Sequence, residues 1–232
     1  MPRHARHAPG DVVYHVLNRA AGRRELFRHA GNYAAFLRVL AETIEQIPMR
    51  LCGYCLMPNH WHLALWPARN GDLSRFMQRL TITHVRRWVE HRHRVGLGPV
   101  YQGRFKSFPV QDDAHFTTML RYIERNPLRA KLVTRAQRWA WSSASSATSA
   151  AAVRGTADVP LIEIAAWPVP RRADWIDWVN APQTPAEEAA VRRSIQFSRP
   201  LGSPAWVANM ETRLRLPPLR PRGRPRKAPG VK

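Results

Sequence analysis

The stretch MRLCGYCLMPNHWHLALW at residues 49–66 contains two largely apolar runs separated only by the Pro-Asn pair at 58–59. Pro and Asn favour tight turns, so the two runs are predicted to be neighbouring antiparallel strands. Successive side chains of a strand point to opposite faces, so His60 and His62 are predicted to share one face and Trp61 to point to the other. Two imidazoles on one strand face can bind a metal ion, but histidines that face solvent or stack on bases have the same pattern.

The predicted strands and helices around this hairpin follow one another in the order of a known fold. The run at 11–19 is rich in β-branched and aromatic residues and predicts a first strand, and residues 103–111 predict a fourth, at a sheet edge because Pro109 lacks a backbone N–H. Apolar residues three and four apart predict helices that begin near Asn32, Asp72 and Asp112 or Asp113. The order β-α-β-β-α-β plus a helix predicts an α+β, ferredoxin-like or RRM-like antiparallel sheet, with helices on one face and one further helix.

The charge of the chain indicates its partner. Its 232 residues include 37 Lys and Arg against 16 Asp and Glu, a formal charge of +21. Such a charge repels itself unless a polyanion offsets it, so nucleic acid is the predicted partner. We find no run close to the roughly 20 apolar residues of a membrane span and no signal-peptide core at the N-terminus, so a cytoplasmic location without membrane binding is expected.

The two cysteines lie in the first strand of the hairpin. Cys52 and Cys55 form a C-x-x-C, but no second pair is present to complete a zinc site. A spacing of three along a regular strand places the two side chains on opposite faces. We therefore expect two buried, reduced thiols rather than a metal site.

A tyrosine and an asparagine on the third predicted helix could act together with the histidines. Tyr122 and Asn126 are four residues apart and share a helix face, at a margin of the apolar stripe. From that margin a polar group can reach the rim of the sheet. Ordinary packing of a tyrosine and termination of the helix before Pro127 account for the same residues, so the pattern alone leaves both interpretations open.

Five segments, in order along the chain, resemble one family. They are YHVLNR (14–19), YCLMPNHWHL (54–63), GRFKS (103–107), LRYIERNPLRAKLV (120–133) and LRPRGRPRK (219–227). They resemble the REP-associated tyrosine transposases of bacteria and, more distantly, the single-tyrosine HUH transposases of insertion sequences. The likeness covers residues 11 to about 145 and touches the C-terminal tail.

The resemblance implies specific roles for four residues. His60 and His62 stand at the family's His-hydrophobic-His motif, Tyr122 at its nucleophile and Asn126 at its third, amide-bearing metal ligand. The implied activity is cleavage and rejoining of single-stranded, REP-like hairpin DNA through a 5′-phosphotyrosine, with Mg²⁺ or Mn²⁺ and without a nucleotide cofactor. The oligomeric state, monomer or homodimer, stays open. We find no clear general base, and His115 is one candidate.

Two other functions fit parts of the same pattern. A non-catalytic nucleic-acid-binding protein with an RRM-like sheet could stack His60, Trp61 and Tyr122 on bases. A hydrolytic metallonuclease would use activated water in place of the tyrosine.

Basic residues are expected to contact DNA phosphates and to place the protein at the nucleoid. The predicted contacts are Arg104, Lys106, Arg121, Arg125, Arg129, Arg222 and Arg224, the last two in an AT-hook-like tail. We divide the chain into a catalytic domain (1–145), a flexible linker (146–184), a small helical accessory region (185–216) and a disordered basic tail (217–232).

Overall fold

The sheet forms in the predicted way. The computed structural model describes residues 7–96, 98–146, 160 and 162–219. The strands are β1 Val13–Arg19, β2 Arg50–Met57, β3 His60–Trp66 and β4 Lys106–Val110. All neighbours are antiparallel in the order β2-β3-β1-β4, so β4, which contains Pro109, is an edge strand. This is the ferredoxin-like order, and the predicted α+β fold is confirmed.

Helices separate and follow these strands in the described chain. They are α1 Ala30–Gln46, α2 Asp72–His91, α3 Ala114–Glu124, α4 Asn126–Arg129, α5 Ser143–Ser146, α6 Trp175–Asn180, α7 Pro185–Phe197 and α8 Pro204–Arg213. The Asp113 carboxylate caps α3 by accepting a bond from the His115 N–H, and a Thr184–Glu187 capping box starts α7. No described helix has the length and apolar character required to span a bilayer.

The two faces of the sheet are covered by different helices. Trp61 and Leu63 of β3 are fully buried in the same apolar cluster as the inner faces of α1 and α2. Ala64 of β3 and Phe108 of β4 are buried in a second cluster with α3. The alternation of β3 therefore turns its even-numbered residues, which include both histidines of the motif, toward α3.

Part of the predicted flexible linker, 146–184, is packed. Within its described residues, α6 buries Trp175 and Val179 in the cluster beneath α3. The Trp175 Nε1–H also donates to Oε2 of Glu124 at 2.7 Å. The linker prediction was wrong for this part because a small, polar composition after Trp141 does not extend to the tryptophan-rich residues that follow. Residues 147–159 and 161 lie outside the described residues.

A β-bulge corrects the predicted placement of the cysteines. The pairing of β2 with β3 runs from Leu51–Leu65 to Gly53–Ala64, which makes Cys52 an extra residue on β2. Cys52 and Cys55 are therefore both buried in the α3-side cluster rather than on opposite faces. Both thiols are free and buried, as predicted.

Glu124 at the end of α3 provides a pH-dependent test of this packing. Its side chain is buried, which raises its pKa, while hydrogen bonds from Ser143 and Trp175 act in the opposite direction. A carboxyl with a higher pKa in the folded than in the unfolded state binds more protons when folded. The free energy of unfolding therefore falls as the pH rises above 4.5, the ordinary pKa of a glutamate side chain.

We expect Glu124→Gln to remove this pH dependence while it keeps the contacts, because an amide can donate to Ser143 and accept from Trp175. Near pH 4 the free energy of unfolding of the variant should match that of the wild type within about 1 kcal/mol. As the pH rises, the variant should become more stable than the wild type by at most about 1.4 kcal/mol per pH unit. Urea unfolding from pH 4 to 7 measures this, with Glu163→Gln, at an exposed carboxyl, as the control for net charge. Parallel profiles for Glu124→Gln and the wild type would contradict the prediction.

Candidate active site

The two histidines of the β2–β3 hairpin lie together on the α3 side of the sheet. His60 is half-buried at the first position of β3, and His62 is buried, with 3% of its surface exposed. Their ring centroids are 5.0 Å apart and the rings are nearly perpendicular. The shared face predicted from strand alternation is thus present in the structure.

Tyr122 on α3 faces the same histidines. Its ring centroid lies 6.3 Å from that of His62, with the ring planes nearly perpendicular. The tyrosine and the histidine pair come from one chain, although 60 positions separate His62 from Tyr122 in the sequence. The candidate nucleophile and the candidate metal site therefore lie within a single chain.

The hydrogen bonds of the imidazoles suit them as ligands. His60 Nδ1 lies 2.6 Å from Asn59 Oδ1, so this nitrogen carries the proton and leaves the Nε2 lone pair for a ligand. His62 Nδ1 lies 2.8 Å from Nε2 of His15, a buried histidine of β1. In both rings Nδ1 is paired with a neighbour, so Nε2 is the candidate coordinating atom.

Burial keeps both imidazoles neutral, which is the state that binds a metal. It lowers the pKa of His60 to about 3, with Arg19 and Arg129 adding to the effect. The pKa of His62 is likewise well below its usual range, first through burial and then through the neighbouring His60 and His15 rings. Neither ring needs to lose a proton at neutral pH before it binds a cation.

Asn126 begins α4, one residue after the end of α3. Its amide nitrogen donates to the Tyr122 carbonyl oxygen at 3.0 Å, and its Oδ1 accepts from Arg129 Nη2 at 2.5 Å. The Arg129 guanidinium also lies 4.1 Å from the centroid of the Tyr122 ring. Its Nη1 is buried without a hydrogen-bond partner among the described residues. An anionic oxygen would satisfy this group.

The donor atoms fit a divalent cation, with open positions left for substrate. Across the described ranges, no group of three or more His, Cys, Asp or Glu side chains is arranged to hold a metal. Two neutral imidazole nitrogens and one amide oxygen remain as candidate ligands. The three candidate ligands themselves carry no charge, which suits an ion that is also bound by phosphate oxygens.

The prediction that Arg121 and Arg125 contact DNA was wrong, because both guanidinium groups bind carbonyl oxygens within the protein. Arg121 is buried and donates to the carbonyl oxygens of Trp178, Ala181 and Pro182 at 2.7 to 3.0 Å. Arg125 Nη1 donates to the carbonyl oxygens of Val179 and Asn180. The two guanidinium groups satisfy the C-terminal carbonyl groups of α6 and so attach that helix to α3.

Of the other residues predicted to contact phosphate, some are exposed and could reach DNA. Arg104 and Lys106 are exposed, although Lys106 Nζ donates to the Ile195 carbonyl oxygen in α7. Arg129 lies in the site itself, as described above. Arg222 and Arg224 fall outside the described residues.

His115 is too far along α3 to act directly as the base for Tyr122. It lies at the second position of the helix, and its Nδ1 pairs with Asp113 Oδ1 at 2.8 Å. Seven residues at 1.5 Å per residue separate it from Tyr122 by about 10 Å along the axis. A general base must lie within about 3 Å of the proton or one water away.

Sequence reasoning missed two residues of this site, both on β1. His15 contacts the His62 ring, and Arg19 pairs in register with His60. One signal was present in the sequence, because His15 and Arg19 are four apart on a strand and so share a face. Which face they share was determined only by the pairing of β1 with β3.

Comparison with known proteins places the chain in a family. A family model described as "Transposase IS200 like" matches residues 10–126, which are 117 of the 232 residues. The chain therefore belongs to the IS200-like transposase family. The matched segment contains both histidines of the motif, the tyrosine and the asparagine.

Two matches carry the description REP-associated tyrosine transposase, one of them only as a candidate, which confirms the resemblance noted in the sequence. A Haemophilus influenzae protein described as a candidate member is 25% identical over 116 residues, covering 47% of this chain and 66% of that protein. The chain thus spans just under two thirds of this curated relative. The solved structure of a REP-associated tyrosine transposase bound to a REP hairpin aligns with a TM-score of 0.50 and 18% identity, over 72% of this chain and 98% of that one. The structural match shows a shared fold.

Proposed function

We propose that the protein is a metal-dependent DNA strand-transfer enzyme that cleaves and rejoins single-stranded hairpin DNA through a 5′-phosphotyrosine. The observation that carries this proposal is the position of the Tyr122 ring, 6.3 Å from the His62 ring within one chain. In both histidines Nδ1 is paired with a neighbour, which leaves Nε2 as the candidate coordinating atom. A single subunit therefore has the parts that phosphodiester transfer by a tyrosine requires.

In this mechanism each residue has a defined task. Tyr122 Oη loses its proton to solvent and attacks the phosphorus, the bond from Oη to phosphorus forms as the bond to the 3′-oxygen breaks, and the departing 3′-oxygen takes up a proton from solvent to become a free 3′-hydroxyl. The Arg129 guanidinium over the ring stabilises negative charge on the phenol oxygen as its proton leaves. A Mg²⁺ or Mn²⁺ ion held by His60, His62 and Asn126 would neutralise and orient the phosphate. A second 3′-hydroxyl can reverse the step, so no nucleotide cofactor is needed.

The RRM-like alternative is disfavoured by the packing of the sheet. Stacking on bases requires exposed aromatic side chains on an open face of the sheet. Trp61 is fully buried under α1 and α2, and its Nε1–H donates to the Tyr101 hydroxyl at 2.9 Å. The opposite face is covered by α3. The sheet therefore offers no such platform in the described part of the chain.

Hairpin DNA as the substrate is supported by charge and by the solved relative. That relative is bound to a REP hairpin, and this chain carries a formal charge of +21. A basic cleft lies near the β2–β3 turn, since the backbone N–H groups of Leu26 and Phe27 donate to the Pro58 carbonyl oxygen. The cleft is lined by Arg24, Glu25, Arg28, His29, Trp88, His91, Arg92, His93 and Arg94. It lies where α1 begins and α2 ends and offers a path for a phosphate backbone there, and DNA binding of this kind would place the protein at the nucleoid.

The proposal is tested with purified protein, Mg²⁺ or Mn²⁺ and a REP-like hairpin labelled at one end. A 5′-phosphotyrosine attaches the protein to the fragment that carries the 3′ label, while a 5′ label leaves on a shorter free strand. We expect an adduct that survives denaturation with the 3′ label only, and its loss with EDTA or in His60→Ala. Binding without an adduct on several hairpins would favour a non-catalytic protein, and cleavage to two free strands would favour hydrolysis.

A further inference from the structure

His15 is a buried polar side chain to which the mechanism above gives no role. It lies at the centre of β1 and has no exposed surface. Phe108 packs edge-on against its ring with centroids 5.0 Å apart, and the His62 ring lies at the same centroid distance. The Tyr122 ring follows at 6.5 Å. His15 thus contacts His62 within the buried part of the site.

Only one of the two ring nitrogens of His15 has a hydrogen-bond partner among the described residues. Its Nε2 lies 2.8 Å from His62 Nδ1, so a proton is shared between these two nitrogens. Its own Nδ1 is buried without a partner among the described residues. Leaving a buried polar atom without a partner costs about 1 to 3 kcal/mol. An apolar side chain would avoid this cost, so packing alone does not explain a histidine here.

Two arrangements of protons are possible for the pair of rings, and they differ at the outer atom of His62. If His62 Nδ1–H donates to His15 Nε2, then His62 Nε2 has a free lone pair and the proton of His15 lies on its own Nδ1. If His15 Nε2–H donates instead, then His62 Nε2 carries a proton and cannot coordinate a cation. The direction of the buried hydrogen bond between His15 and His62 therefore decides whether His62 Nε2 can coordinate a cation.

We propose that His15 is a positioning residue that accepts the His62 Nδ1–H and so keeps the His62 Nε2 lone pair free for the divalent cation. The inference rests on the proposed function for its metal. It goes further by assigning the tautomer of one ligand to a residue outside the His-x-His motif. Hydrogen-bond partners of ligand histidines commonly fix tautomer and ring orientation in this way.

The first measurement needs no metal, no DNA and no variant of His15. In full-length protein labelled with ¹⁵N-histidine, two-bond ¹H–¹⁵N correlations show which ring nitrogen carries the proton. Comparison with His62→Gln assigns the His62 signals. We expect His62 to be protonated at Nδ1 and bare at Nε2. A His62 protonated at Nε2 would overturn the proposal.

The second measurement compares two replacements of His15. His15→Met fills the space without an acceptor, whereas the amide of His15→Gln ends near the place of the imidazole Nε2 and can accept the same bond. Calorimetric titration of the full chain with Mn²⁺ alone should show affinity about 10- to 100-fold weaker in His15→Met. His15→Gln should recover most of that loss, and thermal melting of both variants checks that they fold.

Mn²⁺ binding by His15→Met at wild-type affinity would refute the role of His15. His60→Ala and His62→Ala, titrated in parallel, separate this outcome from a failure of the proposed function. If these two variants lose Mn²⁺ binding and His15→Met does not, the metal site stands and the inference about His15 falls. If His60→Ala and His62→Ala also keep wild-type Mn²⁺ binding, the metal assignment falls and the inference about His15 falls with it.

Discussion

Tyr122→Phe is expected to abolish the covalent protein–DNA adduct, with a fall of about 10³-fold or more in its rate of formation. The substitution removes one oxygen atom, and that atom is the proposed nucleophile. The ring would still pack beside His62 and beneath the Arg129 guanidinium, since those contacts involve only carbon atoms of the tyrosine. DNA binding and folding should therefore persist while covalent chemistry stops. Denaturing gels of a 3′-labelled hairpin measure the adduct.

Tyr33→Phe provides the matched control for this experiment. Tyr33 is a buried tyrosine on α1, stacked on Trp141 with ring centroids 4.8 Å apart, in the cluster on the opposite face of the sheet. It loses the same oxygen atom at a place remote from the histidine pair, so adduct formation should continue. If Tyr122→Phe still cut the hairpin while His60→Ala did not, the tyrosine mechanism would be rejected in favour of activated water.

Arg121→Met is expected to lower the free energy of unfolding by about 3 kcal/mol. The guanidinium is buried and bonds three carbonyl oxygens at the end of α6, and it also lies 3.6 Å from the Glu187 carboxylate of α7. Methionine fills much of the volume but donates no hydrogen bond, so the carbonyl groups and Glu187 lose their partner. Urea denaturation followed by tryptophan fluorescence measures the loss, because Trp175 and Trp178 lie in α6.

Arg135→Gln is the control for a surface contact to the same helix. Arg135 pairs with Asp177 of α6 at 3.4 Å, with about half of the arginine side chain exposed. Exposed ion pairs contribute little, so the change should stay within about 0.5 kcal/mol. An equal effect of both substitutions would show that Arg121 does not hold α6 on α3.

The predictable parts of the fold are those that local pattern specifies. Strand alternation around the Pro58–Asn59 turn places His60 and His62 on one face, and the structure has them there. The α1 to α3 spacing of apolar residues likewise predicted helices close to their observed bounds. Each of these depends on neighbours within a few positions, for which side-chain periodicity is a sufficient guide.

The errors arose where one residue or one long-range contact decides the outcome. A bulge at Cys52 places that thiol on the α3 side of the sheet. The alternation of apolar and polar residues in the sequence does not reveal a single extra residue of this kind. Arg121 and Arg125 have the spacing of a solvated basic helix face, but α6 covers them. Whether a guanidinium meets water, phosphate or a buried carbonyl group depends on what packs over it.

The antiparallel hairpin, the shared face of two histidines, the helix that carries Tyr122 and the strongly basic character could be inferred from the amino-acid sequence. These follow from backbone periodicity and from charge, which are properties of the chain itself. The contact of Tyr122 with His62 in one subunit, the attachment of α6 to the tyrosine helix by Arg121 and Arg125, and the contact of His15 with His62 became known from the folded structure. The partners in these contacts are 47 to 61 positions apart in the chain, and their pairing depends on how strands and helices pack across the sheet.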